Sequence, residues 1–380
     1  MGAFKRIRMT SLALSVALAV TVVSMGCGGD HGAGWVAPGD RGDLAAGTLL
    51  DWVEVSRGES LDLQVWYPVS AGVEQPFNYE VFAATEGMVV EEGPGACDTP
   101  RPVVMFSHGN SGINYQTYTL SEHLARHGYV VAAPNHVRNT AFDMEDDLRR
   151  AMTLWRPGDI SESFDYLVSL SDDPESPLFG CVDPAAGYAM IGHSFGGWTT
   201  LAVSGAPLDM RVLDAECQGS TAQECDIIRA WIADHPGQDL LDLSDNRVWA
   251  AVPLAPAWQE LFGDGLPEIQ VPILVVGGEL DESTTWDAAV EPTYRGLTAT
   301  PRYLVGLEGA GHYSFTDFCD VILMMGWEGD GCGPGFRPVQ DVLATLTTLV
   351  TAFLETVRGD THAAEYLPPT EGILSFEQVE

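Results

Sequence analysis

Residues 187–204 read Gly187-Tyr188-Ala189-Met190-Ile191-Gly192-His193-Ser194-Phe195-Gly196-Gly197-Trp198-Thr199-Thr200-Leu201-Ala202-Val203-Ser204. The stretch 187–191 is apolar and β-prone, as a strand covered on both faces must be. From Phe195 to Ser204 the pattern is helical. Between them stands Gly192-His193-Ser194-Phe195-Gly196-Gly197, the one G-x-S-x-G of the chain. A serine on so short a strand-to-helix turn takes a strained backbone conformation with its hydroxyl projecting. Gly192 and Gly196 leave room where side chains would collide with neighbouring backbone. The helix N-terminus favours negative charge developing nearby. Ser194 is the candidate nucleophile.

Further β-rich runs lie on both sides of this turn. Stretches 50–55 and 61–67 are close enough to form a hairpin, and 103–107, 129–133, 248–254, 272–276 and 302–307 complete a set of eight. Helical patterns fill the gaps at 118–127, 160–170 and 195–204, and a long amphipathic helix over 339–357 follows Pro338. Strands alternating with helices predict an α/β fold: a mostly parallel eight-stranded sheet with right-handed crossovers, flanked by helices. Residues 206–246 are too many for a simple connection and predict a cap-like insertion over the C-terminal ends of the strands.

The remaining chemistry is sought where loops leave that end of the sheet. Gly309-Ala310-Gly311-His312 follows the last strand, and its glycines let the imidazole swing toward Ser194. His312 is the candidate base, taking the serine proton and returning it to the leaving alcohol. The stretch 272–276 leads into Gly277-Gly278-Glu279-Leu280-Asp281, which makes Asp281 the candidate acid and Glu279 the fallback. Serine, then acid, then histidine is one of the known chain orders of such triads. The loop Phe106-Ser107-His108-Gly109-Asn110-Ser111-Gly112 is placed to offer a backbone N–H to an oxyanion, with the second from Phe195. His108 reads as a residue bracing that loop, and His136 as a residue near the site. His123 and His127 have metal spacing but lack the H-E-x-x-H pattern, so a solvated helix face is expected. Tyr115, Trp198, Trp258 and Trp286, with Phe195 and Phe315, are near the motif loops and are candidates for an apolar substrate pocket.

Charge narrows the partners. Against 18 Lys and Arg stand 54 Asp and Glu, a net charge of −36. So anionic a surface repels nucleic acid, whose affinity comes largely from phosphate neutralisation, and leaves neutral or zwitterionic small molecules and lipids as substrates. At the N-terminus, Lys5, Arg6 and Arg8 precede an apolar stretch over 12–23 that is too short to span a membrane. Residues 1–26 read as a signal peptide. Ser24-Met25-Gly26-Cys27 resembles a bacterial lipobox, with Cys27 the acylated residue that would anchor the protein to a membrane. A Gly-rich tether over 27–47, a catalytic domain over 48–360 and a polar tail over 361–380 complete the expected organisation. The implied location is the cell envelope (periplasm or outer membrane) or the exterior. Six cysteines remain after Cys27, and in an exported protein an even number suggests disulfides. Neighbours in sequence suggest Cys97–Cys181, Cys217–Cys225 and Cys319–Cys332 among the fifteen connectivities six cysteines allow. The loop 328–331 is acidic but lacks EF-hand spacing.

Phe106-Ser107-His108-Gly109, Leu120-Ser121-Glu122-His123-Leu124-Ala125-Arg126-His127-Gly128-Tyr129-Val130-Val131-Ala132-Ala133 and Gly192-His193-Ser194-Phe195-Gly196-Gly197 together resemble the platelet-activating-factor acetylhydrolase-like α/β-hydrolases. Dienelactone hydrolases and bacterial polyesterases share parts of the pattern. The resemblance runs through residues 50–355. It implies an esterase that forms an acyl-enzyme on Ser194, with His312 as base, Asn110 and Phe195 as oxyanion donors, and no metal or cofactor. The implied substrates are short-chain acyl esters, extending to acetylated or oxidised phospholipids and to polyesters. The animal acetylhydrolases carry their acid in a Leu-Asp-Ala-Trp stretch after the sixth strand. Here the matching run, Leu254-Ala255-Pro256-Ala257-Trp258, has no carboxylate, which supports Asp281 and weakens transfer of the phospholipid specificity. Dienelactone hydrolases use a cysteine nucleophile, which Ser194 argues against. Two alternatives stand beside this reading: a peptidase or amidase on the same fold, and a surface lipoprotein that binds without catalysis.

Overall fold

A computed structural model describes residues 35–70, 72–79, 86–324, 326, 329–367 and 371–379. The signal peptide, Cys27 and the first part of the tether lie outside the described residues.

The strands, in chain order, are β1 (Ala45–Glu54), β2 (Ser60–Val69), β3 (Gln75–Asn78), β4 (Glu86–Glu91), β5 (Val103–Ser107), β6 (Val130–Pro134), β7 (Tyr188–His193), β8 (Leu208–Asp209), β9 (Leu240–Leu241), β10 (Val248–Leu254), β11 (Ile273–Gly278), β12 (Arg302–Leu307) and β13 (Ile373–Val379). The helices are α1 (Tyr118–Arg126), α2 (Met152–Asp172), α3 (Phe195–Val203), α4 (Met210–Glu216), α5 (Gln223–Asp234), α6 (Glu291–Gly296), α7 (Cys319–Met324) and α8 (Val339–Val357). All strands except β8 and β9 join one sheet in the order β13-β12-β11-β10-β7-β5-β6-β2-β1-β4-β3. From β6 to β12 neighbouring strands are parallel. The β1–β2 hairpin joins antiparallel through β6. This is the topology of an α/β-hydrolase.

The parallel strands are where they are because they can bury both faces. Every residue of β5, β6, β7 and β11 is buried. One face packs on α1 and α8, whose Val342, Leu346, Leu349, Val350 and Phe353 form a continuous inward stripe at helical spacing. Each such side chain contributes about 1.5–3 kcal/mol when fully buried. α3 is buried along its whole length and packs with α2 beneath the centre of the sheet. No helix among the described residues is long and apolar enough to cross a membrane.

All eight strands expected from the sequence form, and five more accompany them. The residues expected as a polar tail contain β13, which pairs antiparallel with β12 at the sheet edge; no residue of this edge strand is fully buried, so its pattern reads as polar. The segment called a tether belongs to the fold from Val36 onward. His123 of α1 and His127, which caps its C-terminus, stack 4.5 Å apart and bond the carbonyl oxygens of Pro38 (2.9 Å) and Asp40 (3.0 Å). Their helix face is therefore partly covered by chain and half-buried, not fully solvated. The three disulfides Cys97–Cys181, Cys217–Cys225 and Cys319–Cys332 are formed. The insertion over 206–246 holds α4, α5, the small β8–β9 pair and one of these disulfides.

Candidate active site

The turn after β7 does what its glycines require. Ser194 sits at φ 58°, ψ −115°, a region that L side chains rarely occupy. Its N–H bonds Leu254 O at 2.9 Å, and its carbonyl takes the N–H groups of Trp198 (3.2 Å) and Ala257 (3.1 Å). The strained residue is thereby held from three directions. A Cβ on Gly196 would lie 1.8 Å from Ser107 O, and one on Gly192 2.1 Å from Gly196 O. The elbow packs that closely against the end of β5.

Asp281 and His312 meet in the loops after β11 and β12. His312 Nδ1 lies 2.9 Å from Asp281 Oδ2. The other carboxylate oxygen accepts the N–H groups of Ser283 (2.9 Å) and Thr284 (2.6 Å), and the Thr284 hydroxyl is 2.8 Å from Oδ2. Burial alone would push the Asp281 carboxyl up, but the bond and charge of His312 and the Thr284 donors outweigh it and hold the carboxyl below its ordinary value. Glu279 points elsewhere and accepts the N–H of Gly309.

A cleft of about 590 Å³ opens over these groups, lined by Ser194, His312, Gly109 and Asn110 on its polar side. Ile113, Phe142, Phe318, Val321 and Ile322 form its apolar wall. Asn110 lines the same cleft as Ser194 and His312. Phe195 opens α3, so its N–H belongs to the first turn, whose amides have no partner within the helix.

Neighbouring side chains lock this arrangement. The Gly109 N–H donates to Gln116 Oε1 (3.1 Å). Gln116 Nε2 is 3.2 Å from His193 Nδ1, and His193 Nε2 is 3.0 Å from His312 O. A carbonyl accepts only, so Nε2 carries the proton and Nδ1 accepts from Gln116. Burial, reinforced by His312, lowers the His193 pKa to about 3, so the ring is neutral. Asp330, in the acidic loop that lacks EF-hand spacing, has a structural task. Asp330 accepts the N–H of His312 at 3.0 Å with one oxygen. With the other it takes the N–H groups of Glu282 and Ser283 and the Ser283 hydroxyl, each at 2.9 Å. One carboxylate therefore clamps the acid loop to the histidine loop.

Several pocket expectations need correction. Trp198 is fully buried and stacks on Phe262 with 5.2 Å between centroids. Trp286 packs in the same core cluster. Trp258 packs on Phe195 at 4.6 Å. Tyr115 stacks on Tyr79 and lines a separate depression of about 340 Å³ that shares Phe142 with the cleft. None of these four lines the cleft beside Ser194, and no residue of 206–246 does so either. The insertion packs against the 146–148 and 259–262 turns instead of covering the site.

A second Ser/His/Asp set, not singled out from the sequence, sits under the site. Ser107 Oγ is 2.8 Å from His136 Nε2, and His136 Nδ1 is 3.0 Å from Asp159 Oδ2. Arg57 pairs with Asp159 at 2.9 Å. Burial, then the nearby Arg156 and Arg57, lowers the His136 pKa well below its ordinary value, while burial lifts Asp159 to about 6. These contacts follow the order of a serine-hydrolase triad. All three side chains are buried, Ser107 and His136 completely.

No protein-family model matches the chain. Cutinase est1 of Thermobifida alba is 24% identical over 212 residues, covering 56% of this chain and 53% of that protein. The chain thus spans about half the length of the curated relative it matches. The sheet order is that of the α/β-hydrolase fold, and this distant likeness supports that broad superfamily without reaching the acetylhydrolase-like subgroup.

Proposed function

We propose that the protein is a serine hydrolase of carboxylic esters, with Ser194 as nucleophile, His312 as base, Asp281 as its orienting acid, and the N–H groups of Asn110 and Phe195 as the oxyanion hole. One observation carries the assignment: Ser194 at the strained elbow and His312, bonded to Asp281, line the same open cleft. In this reading His312 takes the Ser194 proton as the hydroxyl attacks the ester carbonyl. The charge on the tetrahedral oxygen is met by the two N–H groups, and the imidazolium protonates the departing alcohol. Water then repeats the sequence on the acyl-enzyme. The apolar wall suits a short acyl chain. Polyesters are a further substrate class, suggested by the name of the relative.

A second reading takes Ser107, His136 and Asp159 as the reacting set, favoured by their unbroken hydrogen-bond chain. An ester cannot reach a serine with no exposed surface, which is why Ser194 is preferred. The test is turnover of p-nitrophenyl butyrate by Ser194→Ala and Ser107→Ala, with fluorophosphonate labelling mapped to a peptide. Ser194→Ala should lose several orders of magnitude in kcat, and label should fall on the 188–198 region. Wild-type turnover in Ser194→Ala, or label on Ser107, would refute the assignment. A panel of esters against peptide amides separates esterase from amidase. Three disulfides also support export to an oxidising compartment, with acylation of Cys27 as the proposed anchor.

A further inference from the structure

Arg156 of α2 is a cation with no exposed surface. Such a charge is costly to bury and survives only with dense hydrogen bonding. Its bonds are concentrated on one target. Nη1 donates to His108 O at 2.7 Å, and Nη2 donates to Gly109 O at 3.0 Å and to Asn139 Oδ1 at 2.6 Å. Asn139 Nδ2 in turn donates to Asn110 Oδ1 at 3.0 Å. The guanidinium carbon lies 4.1 Å from the centre of the Phe195 ring. One buried cation therefore touches both segments assigned above as oxyanion donors.

The contact with Gly109 O matters most. That carbonyl belongs to the same peptide unit as the Asn110 N–H. In a trans peptide the C=O and N–H point in opposite directions. Fixing the oxygen on Arg156 fixes the plane and turns the N–H away from the guanidinium. A hydrogen bond accepted by the carbonyl also polarises the amide and strengthens its N–H as a donor. His108 Nδ1 lies 2.7 Å from the same oxygen and adds to the effect.

We propose that Arg156 is a positioning residue of the oxyanion hole, acting through the Gly109–Asn110 peptide and the Phe195 ring. This rests on the Ser194 reading above. Arg156 touches no substrate; it aligns and polarises the donor that does. Its removal should weaken binding of the tetrahedral species far more than binding of the ester.

The test compares Arg156→Gln, Arg156→Lys and Asn139→Leu with wild type on p-nitrophenyl butyrate, alongside inhibition by butylboronic acid, whose serine adduct is tetrahedral. Folding is checked by thermal melts and circular dichroism. For Arg156→Gln the expected result is a 10²- to 10³-fold fall in kcat, the size of losing one oxyanion donor. KM should stay within about threefold, and boronate affinity should fall in parallel with kcat. Arg156→Lys, which keeps a cation but loses the fork, should recover part of the loss. If Arg156→Gln does not fold, Asn139→Leu carries the test, with about a tenfold fall in kcat and unchanged KM, the size of one lost hydrogen bond. A folded variant with wild-type kcat, or one whose kcat falls while boronate affinity holds, overturns the proposal. Ser194→Ala run in parallel separates the failures: wild-type turnover there sinks the site assignment itself, whereas an inactive Ser194→Ala beside fully active Arg156 variants sinks only the role of Arg156.

Discussion

The contribution of His193 to stability should be lost in acid well above the ordinary carboxylate range. Its ring is neutral in the fold with a pKa near 3, whereas an unfolded histidine titrates near 6.5. Between those values the unfolded chain binds more protons at this residue, so the contribution falls as pH drops from 6.5 toward 3 and is fully present above 6.5. Each tenfold difference in proton affinity between the two states is worth about 1.4 kcal/mol, so His193 alone removes about 2 kcal/mol by pH 5. Against a typical total of about 5–15 kcal/mol, this is a large fraction. His108 and His136 are shifted in the same direction by burial, whereas burial raises Asp159 to about 6 and Asp317 to about 7, so these carboxyls bind protons in the fold and act against the histidines. The assay is urea unfolding followed by tryptophan fluorescence at half-unit steps from pH 7.5 to 4.5. His193→Gln should be less stable at pH 7, because the links to Gln116 and His312 are disturbed, but its stability should fall less steeply, by about one proton's worth of slope. Because the buried carboxyls oppose the histidines, the difference between wild type and His193→Gln is the test, and an unchanged slope in His193→Gln would refute the reasoning.

Other perturbations follow from the same geometry. Asp330→Ala removes the acceptor of four hydrogen bonds between the acid and histidine loops; kcat for p-nitrophenyl butyrate should fall about 10- to 100-fold, since misplaced catalytic groups cost that much, with Ser194 still labelled by fluorophosphonate, only more slowly. Asp281→Asn should lower kcat by about 10⁴-fold, because the wrong imidazole tautomer is favoured. Gly196→Ala places a methyl 1.8 Å from Ser107 O; soluble yield and labelling should both collapse. Phe142, exposed and shared by the cleft and its neighbouring depression, should set chain length: Phe142→Ala is expected to raise kcat/KM for octanoyl relative to butyryl esters by a few-fold, measured across a p-nitrophenyl ester series.

The positions of Ser194, Asp281 and His312 were legible because each follows a buried strand and is announced by glycines that only a tight turn requires. Strand periodicity and punctuation carry that information locally. The pocket was not legible, because nearness in sequence to a motif loop says nothing about which way a helix face turns. Trp198 lies four residues beyond Ser194, yet α3 is buried on every side and sends that ring into the core. Asp330 was missed for the opposite reason. Its partners at 282, 283 and 312 belong to two other loops, and no spacing in one chain records that meeting. Arg156 and Asp159 precede the helical pattern read at 160–170, and nothing in a charged residue's neighbours in sequence marks it as buried, since such residues are usually solvated. Only coordinates show that this face of α2 lies beneath the oxyanion loop.

That concentration of buried polar groups is itself an argument. Arg156, Asp159, His136, His108 and Ser107 are all buried beneath one loop. Stability does not require them, since apolar residues of similar volume often serve as well as a buried ionic network, or better. A site that must hold peptide dipoles fixed before charge develops does require them, because polar groups held rigidly by hydrogen bonds need no reorganisation when the oxyanion forms. The two demands separate in a simultaneous replacement of Ser107 by Ala and His136 by Phe, which leaves Asp159 paired with Arg57 and beside Arg156, so that no charge loses its partner. Such a variant should melt within a few degrees of wild type or higher, and its kcat should fall at least tenfold with KM little changed. A protein that lost stability in proportion to activity would show that the network serves the fold alone.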